Sequence, residues 1–208
     1  AILPEAGGRY LLGTESGLVE YDANSKNSVF YITDATNPNS VNPGRLRAIL
    51  KDSFGETWVG TDIGGISKFD RETKKFTRYT HIINDLNSLS NNRINTFFED
   101  GKKRLWIGTS TGLNLYNREN NSFTVITEKE GLPNNVVYAI LEDDNGNLWL
   151  STNKGLCCFN YEYMSFSNYD YIDGLSENEF NSSAYFKNQK GELFFGSLKG
   201  VTYFHPSE

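Results

Sequence analysis

The stretch Ser90–Asn117, SNNRINTFFEDGKKRLWIGTSTGLNLYN, decides the fold, because its second half occurs more than once in the chain. This half contains a Trp, a Gly-Thr pair, a further Gly and an aromatic residue at fixed spacings. Such a pattern fits a ligand-binding loop, a phosphate-binding loop or a structural repeat. Only the structural repeat requires the same spacing to recur along the chain.

The spacing recurs in five units. Each unit begins with a short, mostly apolar anchor, followed thirteen residues later by Thr or Ser, then by a Gly and then by an aromatic residue. The anchors begin at Ala1, Ala48, Thr96, Ala139 and Ala184, and the later glycines are Gly17, Gly65, Gly112, Gly155 and Gly200. No segment shows a sustained helical period, so a repeat of about 45 residues indicates a modular β architecture.

The second unit shows how the strands are arranged. The pattern predicts strands at Leu46–Lys51, Thr57–Thr61, Ile66–Phe69 and Phe76–Thr80, joined by tight turns. The first two strands of the units are nearly continuous in apolar residues, which indicates burial on both faces, whereas the fourth strands are mixed. These features predict an all-β fold, a β-propeller of four-stranded antiparallel blades. The Trp of the motif is expected to pack between neighbouring blades.

The predicted propeller region covers residues 1–208, with about five repeats at 1–44, 45–92, 93–135, 136–180 and 181–208. A net charge of −6 and the absence of a long Lys/Arg run argue against nucleic-acid binding by this region. No apolar run reaches the roughly 20 residues of a membrane helix, so no membrane insertion is expected.

Cys157 and Cys158 are adjacent on a predicted strand, where a disulfide between them is disfavoured and one is expected in the core. Because the chain starts at Ala1, without Met or a signal sequence, it is expected to be a processed or excised piece.

The pattern D-x-x-G-x-x-W-x-G-T-x-x-G-L-x-x-[FY]-[DN] resembles the two-component regulator propeller repeat. This pattern occurs in the chain, with variations, at Asp52–Asp70 and Asp143–Asn160, and the connections Asp85–Ile94 and Glu130–Val136 also resemble those of the family. Three positions depart from the pattern: Leu11 replaces Trp, Ser151 replaces Gly, and Lys103 replaces the turn Gly. The last unit resembles the blade that ends such a propeller before an immunoglobulin-like domain.

This resemblance implies the periplasmic sensor region of a Bacteroides-type hybrid two-component histidine kinase. It implies an ectodomain of an inner-membrane protein that binds glycan fragments and regulates polysaccharide utilisation. The implied partners are an oligosaccharide, the other propeller and immunoglobulin-like domains of the same protein, and a second copy in a homodimer. The family's rings usually have seven blades, so the chain would be a partial array. Closure with five blades and an open arc completed by a partner copy or by missing sequence both fit this array.

No catalytic, metal or cofactor site is predicted. His81 and His205 are the only histidines, and neither has a ligand partner at metal-binding spacing. The acidic residues near the first turn of each unit recur in step with the repeat, so they are expected to form local backbone hydrogen bonds. The chain is therefore not expected to be an enzyme itself, although the full-length protein would, by resemblance, be a histidine kinase.

A ligand face is predicted where two loops of each blade meet, namely the connection into the first strand and the hairpin between the second and third strands. The connections are rich in Asn, Ser and Arg, with aromatic residues nearby. Amides and guanidinium groups bind sugar hydroxyls, and rings cover the C–H faces of sugars, although Asn and Ser are also ordinary turn residues. The candidates are Arg45, Asn92, Arg93, Asn134, Asn135, Tyr138, Asn178 and Tyr185.

Three functions fit this fold. The first is the glycan-binding input region of a hybrid two-component protein. The second is a protein-interaction scaffold of the WD40 type, although the Gly-His and Trp-Asp pairs of that family are absent. The third is a propeller enzyme such as a lyase or lactonase, which would need a His or metal constellation on one face.

Overall fold

The computed structural model describes residues 1–207, which form five antiparallel sheets, here called blades 1 to 5. Blade 1 contains β1 (Ile2–Glu5), β2 (Arg9–Gly13), β3 (Gly17–Asp22) and β4 (Asn27–Ile32). Blade 2 contains β5 (Leu46–Lys51), β6 (Thr57–Thr61), β7 (Ile66–Asp70) and β8 (Lys75–Tyr79). Blade 3 contains β9 (Ile94–Glu99), β10 (Leu105–Thr109), β11 (Gly112–Asn117) and β12 (Ser122–Ile126). Blade 4 contains β13 (Ala139–Glu142), β14 (Leu148–Thr152), β15 (Gly155–Asn160) and β16 (Ser165–Tyr169), and blade 5 contains β17 (Phe180–Lys187), β18 (Leu193–Ser197) and β19 (Gly200–Phe204).

Each blade is a simple meander in which consecutive strands are hydrogen-bonded neighbours. In blade 2, for example, Ile49 pairs with Val59, and Val59 pairs with Ser67. The all-β propeller fold predicted from the repeat is confirmed. The predicted fourth strand of this blade, Phe76–Thr80, lies one residue earlier in the structure, at Lys75–Tyr79.

Blade 5 differs from the others. It has three strands within the described residues, and the bulge in its first strand, β17, between Phe180 and Tyr185, is longer than the irregularities in the first-strand pairings of blades 2 and 3. Ser183 in this bulge has a φ of 62°, in the left-handed region that residues other than Gly rarely adopt. One turn of 3₁₀ helix, Tyr171–Asp173, precedes the blade and is capped by the side chain of Asp170.

The hydrophobic core lies between blades. Each Trp of the repeat is packed against residues of the following blade, as the repeat pattern predicted. Trp58 of blade 2 lies in one buried cluster with Ile94 and Phe97 of blade 3. Trp106 of blade 3 lies in another with Ile140 of blade 4. Such burial of large rings between sheets is the main favourable term holding the array together.

The two cysteines are free, and the prediction that one belongs to the core is confirmed. Cys157 is buried and belongs to the cluster around Trp106, while Cys158 is half-buried beside the next blade. Burial raises the pKa of the Cys157 thiol to about 12 and that of Cys158 to about 11. Both side chains are therefore neutral thiols at physiological pH.

The outer faces of the first and last blades carry exposed apolar side chains. Phe30 and Ile32 of blade 1 are 68% and 64% exposed, and Phe186 and Tyr203 of blade 5 are 63% and 65% exposed. Within residues 1–207, the five blades therefore do not close on themselves through an apolar interface like those between the inner blades. The same part of the chain contains no helix long and apolar enough to cross a bilayer.

Candidate ligand-binding face

The two sets of loops that were predicted to form a ligand face lie together in the structure. In blade 2, the backbone NH of Arg45 donates to Asp62 Oδ1 (2.8 Å) and the backbone NH of Asp62 donates to the Arg45 carbonyl (3.1 Å). In blade 3, the backbone NH of Ser110 donates to the carbonyl of Arg93 (3.3 Å). In these two blades the connection into the first strand is thus tied to the hairpin between the second and third strands. We call the surface formed by these loops the loop face.

The connections that form the loop face are held in place by internal hydrogen bonds. Ser40 Oγ accepts from the backbone NH of Asp34 and donates to its carbonyl, both at 2.9 Å. Ser88 makes the equivalent contacts with Ile82 in the next connection (2.9 and 3.2 Å). Arg78 also donates to the Ser40 carbonyl from Nε (2.8 Å). A surface held in this way loses little entropy when a ligand binds.

Three candidate asparagines share one geometry. Their side-chain oxygens accept the backbone NH of a residue earlier in the same connection: Asn92 from His81 (2.6 Å), Asn135 from Glu128 (2.9 Å) and Asn178 from Tyr171 (2.8 Å). The structural role of these oxygens was not predicted. Their Nδ2 groups form no hydrogen bond within residues 1–207, so each retains two donors for a ligand.

The fourth candidate asparagine is more fully engaged. Asn134 Oδ1 accepts from the backbone NH of Val136 (3.0 Å), and its Nδ2 donates to Glu128 Oε1 at 3.5 Å. Asn134 therefore has less capacity for a ligand than the other three asparagines.

Tyr138 packs against the cluster of blades 4 and 5, and its hydroxyl forms no hydrogen bond within the described residues.

Tyr185 belongs to a second polar group, located where the first strands of the blades approach one another. Its hydroxyl lies 2.7 Å from Thr96 Oγ1. Arg47 Nη2 donates to Ser182 Oγ (3.1 Å), which joins blade 2 to blade 5. Asn95 Nδ2 donates to the Val137 carbonyl (3.0 Å), which joins blade 3 to the start of blade 4. We call the side chains of Arg47, Asn95, Thr96, Ser182 and Tyr185 the inner polar cluster.

The inner polar cluster is incompletely satisfied. Arg47 Nε and Asn95 Oδ1 are buried and have no hydrogen-bond partner in the described structure. Unpaired buried polar atoms cost about 1–3 kcal/mol each, so they mark places where a water molecule or a ligand would bind. Apart from Tyr185, the sequence analysis did not identify this cluster. The sequence does indicate this position, because Arg47, Asn95 and Tyr138 each precede an anchor by one residue. The residue type at this position changes from blade to blade, as is typical of a ligand site.

Three arginines lie near one another at the starts of blades 2 and 3. Burial lowers the pKa of Arg47, and the nearby charges of Arg93 and Arg45 lower it further. Arg93 is exposed, and Arg45 has a 53% exposed side chain whose Nε lies 3.9 Å from Asp62 Oδ2. Asp62, the carboxylate beside Arg45, also acts on Arg47 and opposes the lowering of its pKa.

No grouping of His, Cys, Asp and Glu suited to a metal ion occurs within residues 1–207. His81 is exposed, and its Nδ1 lies 2.7 Å from the carbonyl of Leu89. His205 Nδ1 lies 2.7 Å from Ser207 Oγ. The chemistry that the loop face offers is therefore hydrogen bonding and charge, supplied by amides, guanidinium groups and tyrosine hydroxyls.

Comparison with known proteins identifies the repeat. The model of the two-component regulator propeller matches residues 88–111 and 131–154. The chain carries two-component regulator propeller repeats. Each matched range contains a connection of the loop face and the following Trp motif, so the resemblance inferred from the spacing is confirmed.

The propeller array is similar to several solved structures. One is the extracellular domain of a protein described as a hybrid two-component system from B. thetaiotaomicron: 28% identity, TM-score 0.85, covering 99% of this chain and 27% of that one. A second such domain from the same organism has 21% identity and a TM-score of 0.82, covering 100% of this chain and 29% of that one. Virginiamycin B lyase from Staphylococcus aureus has 12% identity and a TM-score of 0.70, covering 98% of this chain and 68% of that one.

The last two similarities, at 21% and 12% identity, show the fold alone. The propeller array spans less than a third of the two extracellular domains it resembles. No curated protein matches its sequence.

Proposed function

We propose that this chain is part of the periplasmic input region of a hybrid two-component histidine kinase, the ectodomain of an inner-membrane protein. In this proposal the loop face binds a glycan-derived ligand, and binding regulates genes of polysaccharide utilisation. The kinase would lie outside this chain. The observation that best supports this proposal is the 28% identity, over 99% of the chain, with an extracellular domain described as belonging to such a system.

The chemistry of the loop face supports a sugar ligand. The Nδ2 groups of Asn92, Asn135 and Asn178 are unoccupied, and their positions are fixed because the oxygens of the same side chains are already bonded. Fixed donors spaced over several blades suit the many hydroxyls of an oligosaccharide. The face contains residues of blades 2 to 5, so one ligand would contact several blades.

Calorimetry on the intact protein that carries this chain tests the proposal. A panel of oligosaccharides is titrated, and saturable binding of at least one is expected. Asn92→Asp, Asn135→Asp and Asn178→Asp should each weaken that binding about fivefold or more, since each keeps the structural oxygen and removes two donors. Asn117→Asp is the matched control, because Asn117 Oδ1 also accepts a backbone NH (Glu119, 2.9 Å) but lies at the end of β11, away from the loop face.

Absence of any binding across the panel would contradict the proposal. The other two functions predicted from the sequence have their own signatures in the same experiments. Recovery of a stable protein partner in place of a sugar would favour the interaction scaffold. Turnover of an offered sugar or lactone would favour the propeller enzyme.

A further inference from the structure

We propose that the ligand carries an anionic group, a carboxylate or a sulfate on a sugar, and that Arg45, Arg47 and Arg93 bind it. This inference rests on the proposed function, because it specifies the class of glycan that the loop face takes. It adds Arg47, which the sequence analysis did not select. The argument depends on where these three side chains lie, on what already pairs with them, and on the geometry of the guanidinium group.

The three arginines are concentrated on two adjacent blades. Arg45 and Arg93 occupy the same position of the repeat, three residues before the anchors at Ala48 and Thr96. The equivalent positions in the next two blades are Val136 and Asn181, which are uncharged. Arg47 lies on the same strand as the anchor of blade 2. The positive charge is therefore local to blades 2 and 3 and is not a general property of the repeat.

The backbone of each exposed arginine is fixed while its side chain extends freely. The Arg45 backbone is bonded to Asp62 in both directions, as described above. Arg93 donates from its backbone NH to Asn91 Oδ1 (2.8 Å) and accepts from Ser110 at its carbonyl. Within residues 1–207 the Arg93 side chain forms no hydrogen bond or ion pair. Both guanidinium groups are therefore available to a ligand, with Asp62 Oδ2, 3.9 Å from Arg45 Nε, as their one carboxylate contact within the described structure.

Arginines elsewhere in the molecule are paired differently. Three of them each contact two carboxylates: Arg71 with Glu5 and Glu20, Arg104 with Asp100 and Glu162, and Arg118 with Asp52 and Glu56. On the loop face, Arg45 is the only one of the three arginines that approaches a carboxylate within the described structure, with its Nε 3.9 Å from Asp62 Oδ2, and Arg47 and Arg93 form no ion pair there. In a chain of net charge −6, this local excess of positive charge is unusual. It creates a potential that attracts an anion.

Arg47 supplies the inner part of the site. Its Nη2 bonds Ser182, but its Nε is buried and has no acceptor in the described structure. A guanidinium group presents paired donors in a rigid fork that matches the two oxygens of a carboxylate or sulfate. An anionic sugar that reaches Arg47 would satisfy this donor, while Arg45 and Arg93 would hold the same charge from the solvent side.

The experiment compares charged and neutral oligosaccharides of equal length. Tetragalacturonate, a sulfated chondroitin tetrasaccharide and neutral cellotetraose are titrated separately into the intact protein. We expect one or both anionic probes to bind and cellotetraose to bind at least tenfold more weakly. Binding of tetragalacturonate would show that a carboxylate alone suffices, whereas binding of only the chondroitin tetrasaccharide, which carries carboxylates as well as sulfates, would show that a sulfate is needed. Binding should weaken as salt concentration rises, because the contacts are charged.

Variants localise the site. The double variant Arg45→Gln/Arg93→Gln should bind the anionic probe at least tenfold more weakly. The single variant Arg47→Gln should also bind this probe more weakly than the unchanged protein does. The matched control is Arg9→Gln/Lys190→Gln, which removes the same charge from exposed residues next to the first hairpin turns of blades 1 and 5. Circular dichroism and thermal melting of each variant show whether it is folded.

The outcomes separate this inference from the proposed function. Equal binding of cellotetraose and the anionic probes would overturn the inference and leave glycan sensing intact. If the loop-face variants and the control variant lose the same amount of affinity for the anionic probe, the assignment of the site to these arginines is overturned. Failure of all three probes and of every other oligosaccharide in the panel would overturn the proposed function together with the inference.

Discussion

One hydrogen bond explains why the Asp and the Trp of the repeat occur together. The Trp indole Nε1 donates to the Asp six residues earlier: Trp58 to Asp52 (2.8 Å), Trp106 to Asp100 (2.8 Å) and Trp149 to Asp143 (3.0 Å). The other oxygen of each carboxylate accepts two backbone NH groups of the first hairpin turn, as for Asp52 with Phe54 and Glu56. The Asp thus shapes the turn and satisfies a buried indole at the same time.

Replacing Trp106 by Phe tests this bond. The variant loses the donor to Asp100 and leaves part of a fully buried site unfilled, so the free energy of unfolding should fall by about 2–4 kcal/mol. Trp149→Phe is the matched control, because it loses the same bond at a site bordered by an open groove between blades 4 and 5. Denaturant unfolding should show the smaller loss for Trp149→Phe. Equal losses would contradict this account of the packing.

Lys103 lies where a residue other than Gly is strained. Its φ is 63°, whereas the equivalent turn positions of blades 2, 4 and 5 are Gly55, Gly146 and Gly191, with φ of 83°, 79° and 82°. Because Gly adopts this conformation without steric cost, Lys103→Gly should stabilise the protein by about 0.5–1 kcal/mol. The neighbouring Lys102→Gly should destabilise it, since Lys102 is not among the residues with positive φ. A lower melting temperature for Lys103→Gly would contradict the prediction.

At the scale of one element, the hairpin between second and third strands depends on a close backbone approach. Gly155 begins β15 with a φ of 94°, and a Cβ there would overlap the carbonyl oxygen of Tyr169 on β16. Gly155→Ala should therefore cost about 3 kcal/mol or more in stability, since both the backbone conformation and the space oppose a side chain. This glycine is required by the pairing of two strands as well as by the turn.

Gly146→Ala is the control for this prediction. Gly146 has a similar φ of 79°, but a Cβ there would meet nothing closer than 3.9 Å, at Glu142 Oε1. Its cost should be about 1 kcal/mol, from backbone strain alone. Thermal melts of the two variants separate the conformational penalty from the steric one. Similar losses would show that β16 moves to accommodate the new side chain.

For the whole molecule, burial predicts a gradient of local stability along the array. Blades 2 to 4 are covered by a blade on each side, whereas Phe30 of blade 1 and Phe186 of blade 5 are exposed. In amide hydrogen exchange on this chain, protection should therefore be highest in β10 and β14 and lowest in β4 and β19. Uniform protection across all five blades would contradict the prediction.

Much of the fold was predictable because the repeat is local. Strand positions in blade 2 were correct to within one residue, since turn residues and apolar runs recur in every unit. The interblade location of Trp58 followed from the same regularity. The candidate site was predicted less completely. The loops predicted to form the ligand face lie together, and Arg45 and Arg93 stay candidates on it, but the oxygen of Asn92 is used by the fold, and the contact of Arg47 with Ser182 was not foreseen.

The sequence by itself determined the repeat, its strand order and the class of architecture, because these depend on spacings within about 45 residues. Only the tertiary structure decided which side chains meet across blades. Arg47 and Ser182 are far apart in sequence, and the bulge in β17 that contains Ser182 is longer than the irregularities at the equivalent place in blades 2 and 3. Such contacts depend on how successive blades are rotated about a common axis, which no local pattern of residues encodes.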